Sequence, residues 1–174
     1  NFPVAGGTSG HLVGATLAAI VLGPWLGILV MTAVIALQAL LFQDGGLVAM
    51  GANILVRGVI PALVGYGLYR LVAGRGRRMA LLGAGVAAWL SVVAAALLTA
   101  LCLGFSNTVS FAIVVPVMLG IHTLIGLGEA LITVGALSFI RAARPQLLER
   151  SATAGGRGWI AGGLVVTLLV LLLS

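Results

Sequence analysis

The sequence predicts an all-α protein, a polytopic integral membrane bundle of about six transmembrane helices. Of the 174 residues, 61% are hydrophobic and only 7% are charged, whereas soluble domains carry about 25% charged residues. The mean hydropathy is +1.27, and the apolar residues form long runs separated by short polar turns. Such a chain has too few polar side chains to cover a globule in water, so lipid is its predicted solvent.

Six apolar segments account for this prediction. The first, residues 9–22, is short for a span of about 20 residues, so we expect it to start in a loop that dips into the membrane. Gly23-Pro24 ends that segment. The other five cover residues 25–42, 47–71, 79–104, 109–140 and 158–174, and the last of them is just long enough to span.

Two domains are expected. Residues 1–148 are predicted to form the main membrane domain, and residues 149–174 an Arg-rich linker end and a terminal transmembrane helix. The chain opens on "NFPVAGG", which has no basic region typical of a signal peptide and resembles a loop. We therefore expect the main domain to be incomplete at its N-terminus.

Arginine sets the predicted orientation. The basic residues are all Arg, and eight of the nine lie in loops 70–78 and 141–157. Two spans separate these loops, so they share a face, which the positive-inside rule places on the cytoplasmic side of the membrane. The charge of +6 is thus explained by topology and not by nucleic-acid binding. The turns "QDGG" and "GFSN" and the N-terminal "GGTSGHL" then lie on the extracytoplasmic face.

Several chemistries are excluded by composition. The absence of Lys excludes a P-loop and a Schiff-base enzyme. The single cysteine, Cys102, excludes a thiolate metal site of the CxxC kind. Only Asp44, Glu129 and Glu149 are acidic, which leaves few carboxylates for catalysis. The chain is therefore predicted not to be an enzyme and not to bind a nucleotide.

The stretch "GGTSGHL" is the main candidate site. A histidine at its end, His11, is either an interfacial side chain satisfied by water or a ligand of a transition metal. The glycines allow close approach of the backbone, and the hydroxyls are expected to cap the following helix. Small residues at every fourth position, namely Gly6, Gly10, Gly14 and Ala18, predict a helix-packing ridge. The residues expected to support the site are Gly6, Gly7, Thr8, Ser9 and Gly10.

Five further polar residues are candidates for a site or for a packing contact. His122 and Glu129 share a face of the fifth segment, where they form either a second metal or proton site or a buried polar pair for packing or partner contact. Asn53 and Arg57 are one turn apart on the third segment, and Arg57 is a candidate ion-pair partner of Glu129. Asp44 either forms the turn "QDGG" or attracts a cation at the entrance.

Three motifs in order resemble one family. They are "FPVAGGTSGHLVGATLAAIVLGPW", "LQALLFQDGGLVAMGANIL" and "HTLIGLGEALIT" followed by "RP". They are similar to the CbiM/NikM family, the substrate-capture subunits of energy-coupling-factor transporters for cobalt and nickel. The similarity extends from residue 2 to about residue 148.

The resemblance implies a function and a set of partners. The chain would capture Co²⁺ (for cobalamin synthesis) or Ni²⁺ on the extracytoplasmic side, with His11 as one metal ligand. An N-terminal Met-His, expected ahead of residue 1, would supply further nitrogens. The implied partners are a CbiQ/NikQ-like transmembrane coupling subunit, CbiO/NikO-like ATPase subunits that hydrolyse ATP, and a small CbiN-like accessory subunit. The alternatives are a secondary ion permease or channel and a structural membrane subunit without a ligand.

Overall fold

The computed structural model describes residues 2–4 and 8–148. The sixth apolar segment and the predicted domain 149–174 lie outside the described residues. Within them, four helices are long and apolar enough to cross a membrane, which confirms the predicted polytopic α-helical membrane bundle. They are α2 (Pro24–Leu41), α3 (Met50–Val72), α4 (Arg77–Phe105) and α5 (Phe111–Ala143).

A hairpin and a short helix precede these four spans. Strands β1 (Phe2–Val4) and β2 (Thr8–Gly10) pair antiparallel. Helix α1 covers only Ala15–Leu22, about 12 Å at 1.5 Å per residue. The predicted break at Gly23-Pro24 is present, because Gly23 has φ +86° and Pro24 opens α2.

Two local expectations for "GGTSGHL" are wrong. Thr8 and Ser9 lie in β2, and the N-cap position of α1 is occupied by Gly14, which has φ +70°. The predicted ridge fails for the same reason, since Gly10 is in a strand and Gly14 precedes the helix. The close approach lies elsewhere: a Cβ added to Gly27 would be 2.8 Å from the Ala19 Cα, so α1 and α2 pack backbone to backbone.

Small residues fill the bundle interior and leucines cover its outside. The buried face of α4 consists mostly of alanines, which let α5 pack closely against it: Ala80, Ala84, Ala87, Ala88, Ala95, Ala96 and Ala100. Leucines on the outer surface, such as Leu29, Leu82 and Leu131, are more than half exposed. Soluble proteins bury their large apolar side chains, whereas here the small residues are inside and the leucines outside. This distribution is typical of helices that face lipid.

Helix α3 is interrupted by a π-helical segment, Ile54–Val59, which carries Arg57. Pro61 follows it and has no N–H to donate to the carbonyl of residue 57 in an α-helix, so the regular ladder is broken here. The Pro61 carbonyl accepts a hydrogen bond from the Thr16 hydroxyl at 3.1 Å. Thr16 also bonds Ser91 Oγ at 2.7 Å, so buried polar contacts join α1, α3 and α4 at this level.

Candidate metal site

The loop that carries His11 enters the interior of the bundle. It joins β2 to α1, and its Val13 and Gly14 amides donate hydrogen bonds to the Glu129 carboxylate at 3.0 and 2.6 Å. Glu129 lies about 27 Å along α5 from Phe111 and about 21 Å before its end, at 1.5 Å per residue. The loop therefore reaches the middle depth of the helices, in agreement with a first segment that dips inward before its helix begins.

Glu129 caps the N-terminus of α1, whose own N-cap residue, Gly14, has no side chain to do so. Its side chain is 4% exposed, and each of its carboxylate oxygens accepts one of the two amides. A negative charge at a helix N-terminus is favourable because the first amides have no partner within the helix. The sequence prediction that Glu129 pairs with Arg57 is wrong, since both groups have other partners.

His11 presents a buried nitrogen without a hydrogen-bond partner. Among the described residues, His11 Nε2 is the buried side-chain polar atom that makes no hydrogen bond. The nearest charged group is Asp44, whose Oδ2 lies 3.7 Å away, beyond ordinary hydrogen-bonding distance. Leaving such a nitrogen buried and unpaired is costly, so the arrangement favours a ligand.

Electrostatics keeps this imidazole neutral. Burial lowers the pKa of His11 below its ordinary value of 6.5, and the positive charge of Arg57 lowers it further, while Asp44 acts in the opposite direction. A neutral imidazole has a free lone pair, which metal coordination requires. His11 is thus in its metal-binding form at neutral pH.

Asp44 lies between His11 and Arg57. The same Oδ2 atom is 3.8 Å from Arg57 Nη1, which makes Asp44 and not Glu129 the ion-pair partner of Arg57. The loop that holds Asp44 is tightly turned, since Gly45 and Gly46 have φ +79° and +68°. Gly45 also lies against the Asn53 amide, where a Cβ would overlap it. Asn53 therefore supports this loop, and Asp44 combines a turn position with a place in the site.

A cavity of about 210 Å³ extends from His11 into the bundle. His122 lines the same cavity, and its Nδ1 is 2.9 Å from the Met118 carbonyl. A carbonyl only accepts, so Nδ1 donates this hydrogen bond. The sequence placed His122 and Glu129 on one face, but the structure gives them different contacts. His122 lines the cavity, whereas Glu129 binds the Val13 and Gly14 amides. The walls are completed by Val13, Val56, Arg57, Val92, Ala95, Ala96, Thr99, Leu103 and Met118.

The structure thus brings together His11, Asp44, Arg57 and His122, whereas Gly6 and Gly7 lie outside the described residues. Sequence reasoning missed the contact between Asp44 and His11, and the only available signal was that both turns were assigned to one face.

The described residues contain no group of three or more His, Cys, Asp or Glu side chains that could hold a metal ion. Transition metals usually take four or more ligands, so His11 would act with donors from elsewhere.

Comparison with known proteins shows which family the chain resembles. Residues 1–147 match the model of a family described as CbiM, cobalt uptake substrate-specific transmembrane region. A protein named for metal transport in Haloquadratum walsbyi is 44% identical over 85% of this chain and 67% of its own length. A protein of Archaeoglobus fulgidus, named as a fused nickel transport protein NikMN, is 41% identical over 89% of this chain and 52% of its own.

A solved structure has the same fold. The crystal structure of a truncated transition metal transporter superposes with a TM-score of 0.76 and 34% sequence identity, covering 82% of this chain and 73% of that one. The chain spans only about half the length of the fused nickel relative. The match of the family model over nearly all the described residues identifies the chain as a multi-pass membrane component of a metal transporter that belongs to the CbiM family.

Proposed function

We propose that the chain captures Co²⁺ or Ni²⁺ on the extracytoplasmic side of the membrane for an ATP-driven importer of the energy-coupling-factor type. The observation that carries this proposal is the buried and unpartnered Nε2 of His11 beside Asp44. Imidazole suits both ions. The remaining ligands would be nitrogens of an N-terminal arm ahead of residue 1, and Thr8, Ser9 and Gly10 would hold the backbone on which that arm lies.

The arginine distribution supports the proposed orientation. Arg70, Arg77 and Arg141 line one cavity of about 830 Å³, together with Tyr66 and Tyr69. The arginines of the two predicted cytoplasmic loops thus meet at one end of the bundle, whereas Asp44 lies at the opposite end of α3. If that basic end faces the cytoplasm, His11 is reached from outside.

The proposed partners would supply ATP hydrolysis and an accessory membrane subunit. Without Lys it has no P-loop, so ATP hydrolysis would take place in CbiO/NikO-like subunits joined through a CbiQ/NikQ-like coupling subunit. The fused name and the greater length of the NikMN relative support a CbiN-like accessory part.

Uptake in cells tests the proposal. Cells without their own cobalt and nickel importers would express the full-length protein with its coupling and ATPase subunits. We expect accumulation of radioactive Co²⁺ or Ni²⁺ with the active ATPase and background uptake with an ATPase variant that binds but does not hydrolyse ATP. Equal uptake with both ATPases would favour the secondary permease, and no uptake of either ion would contradict metal transport.

The protonation of His11 provides a separate prediction. Because burial and Arg57 lower the pKa of His11, its ring should titrate below pH 6.5 and remain neutral above it. Asp44→Asn removes the group that raises this pKa, so it should move the midpoint to still lower pH. The midpoint is measured from the ring proton shifts in NMR spectra of the metal-free protein, with His11→Gln identifying the signal. A midpoint above 6.5 in the wild type would contradict the geometry.

A further inference from the structure

The cavity of about 830 Å³ lies at the end of the bundle that is remote from His11. Its lining comes from two parts of the chain that are far apart in sequence, residues 66–77 and 141–148. The end of α3 and the start of α4 supply the first part, and the end of α5 with the segment after it supplies the second. The volume falls within the range of about 300–1,000 Å³ that is typical of ligand sites.

The lining of this cavity is positively charged. It contains three arginines, Arg70, Arg77 and Arg141. The acidic residues in the described part of the chain are Asp44 and Glu129, and neither lines the cavity. Guanidinium groups that share one cavity repel each other. An anion bound there would offset this repulsion, so the lining favours a negatively charged ligand.

The side chains of the cavity suit a phosphate group. A guanidinium has parallel N–H donors that bond two oxygens of one phosphate at once. Arg70 also lies over an aromatic ring, with its Cζ 5.9 Å from the ring centroid of Tyr66, a distance at which the ring face attracts a cation. Tyr69 adds a second phenol to the same lining. Phosphate oxygens could therefore accept hydrogen bonds from several donors within one cavity.

The arginines lie at the depth of lipid headgroups. Helix α4 has 29 residues and is about 44 Å long at 1.5 Å per residue. A bilayer has a hydrocarbon core of about 30 Å and is about 40–45 Å thick with its headgroups. Arg77 is the first residue of α4, and Arg141 lies in the last turn of α5. Both side chains therefore fall outside the hydrocarbon core, where phospholipid phosphates are found.

Apolar surface adjoins the arginines along their helices. Leu71 follows Arg70 and is 71% exposed, and Phe139, two residues before Arg141, is 72% exposed. The lining itself includes Leu148. A soluble phosphate would use only the charged part of this region. A phospholipid could place its phosphate among the arginines and its acyl chains along the apolar surface, so this arrangement favours a lipid.

We infer that the cavity binds the phosphate headgroup of an anionic phospholipid through Arg70, Arg77 and Arg141. The lipid thereby holds the ends of α3, α4 and α5 together. Basic pockets between transmembrane helices are a known means of binding acidic lipid headgroups. The cavity is separate from the site at His11, so this inference goes beyond the proposed capture of a metal ion and does not depend on it.

Native mass spectrometry of the full-length protein in detergent tests the inference. The protein is titrated with phosphatidylglycerol or with zwitterionic phosphatidylcholine of the same acyl chains. We expect the wild type to bind phosphatidylglycerol about 10- to 30-fold more tightly than phosphatidylcholine. The double variant Arg77→Gln with Arg141→Gln should bind the two lipids with affinities within about threefold of each other, because it loses two of the three cations.

The matched control is the double variant Arg75→Gln with Arg144→Gln. It removes the same charge, one arginine from each of the same two regions, but both residues are exposed and lie outside the lining. This control should keep the wild-type preference. Phosphatidylglycerol should also raise the unfolding temperature of the wild type and of the control, but not that of the cavity variant.

Three results would overturn the inference. They are a wild type without preference for phosphatidylglycerol, equal phosphatidylglycerol affinity in the cavity variant and the control, and binding of glycerol 3-phosphate as tight as that of the lipid. A cavity variant that keeps the lipid preference but no longer copurifies with the coupling subunit would make the cavity a protein-docking site instead. Should the cavity variant fail to elute as a monodisperse peak, Arg77→Lys with Arg141→Lys replaces it. That variant keeps the charge, loses the paired donors and should reduce the preference by about threefold.

Discussion

Replacing His11 by alanine is expected to abolish capture of Co²⁺ and Ni²⁺, with a loss of affinity of at least about 100-fold. Loss of an outer-sphere group at a metal site typically costs about 10- to 100-fold, and His11 is proposed to bind the ion itself. The substitution removes the buried nitrogen that makes no hydrogen bond within the described residues. It should leave the fold intact, because Nε2 makes no hydrogen bond within the described residues.

The matched control for this variant is Leu12→Ala. Leu12 is the next residue in the same loop, and its side chain is 52% exposed, so its truncation perturbs the loop without touching the proposed ligand. Affinity is measured on purified full-length protein and uptake in cells with all subunits. Wild-type affinity in His11→Ala, or an equal loss in both variants, would remove His11 from the site.

Replacing Glu129 by alanine is expected to destabilise the protein by about 2 to 6 kcal/mol. The Val13 and Gly14 amides would lose both acceptors, and an unpaired buried donor costs about 1–3 kcal/mol. The loop that carries His11 would also lose its attachment to α5, so Co²⁺ affinity should fall even at temperatures where the variant stays folded. Thermal unfolding in micelles and metal titration measure the two effects.

Glu129→Gln separates the two contributions of this carboxylate. An amide keeps one acceptor oxygen and loses the charge, so its effect should be intermediate. Leu131→Ala is the control, since Leu131 lies on the same helix, 75% exposed and facing away from the loop. If Glu129→Ala unfolded at the same temperature as Leu131→Ala, Glu129 would not be the cap of α1.

The sequence predicted the features that depend on neighbouring residues. The four described spans follow from long apolar runs, and the break before α2 follows from Gly23-Pro24, whose conformations are determined locally. His11 stood out because an imidazole next to glycines is unusual in an apolar chain. The π-helical turn at Arg57 could have been suspected from Pro61, but its position depends on how α3 packs.

The errors concern contacts between distant parts of the chain. Thr8 and Ser9 are good capping residues, yet the cap of α1 comes from Glu129, 115 residues beyond Gly14. Arg57 and Glu129 were paired by charge and similar depth alone, and each has a different partner in three dimensions. Neither composition nor periodicity encodes which helix faces which loop, so these pairings required the structure.

The dependence of α1 on Glu129 has a consequence for biogenesis. Eight residues of helix are too short to be inserted into a bilayer alone, and amides left open in lipid are strongly disfavoured. Residue 129 leaves the ribosome more than a hundred residues after Gly14. Helix α1 must therefore settle between its neighbours after the last of the four described spans has been synthesised, and the proposed ion-binding centre would be completed late in assembly.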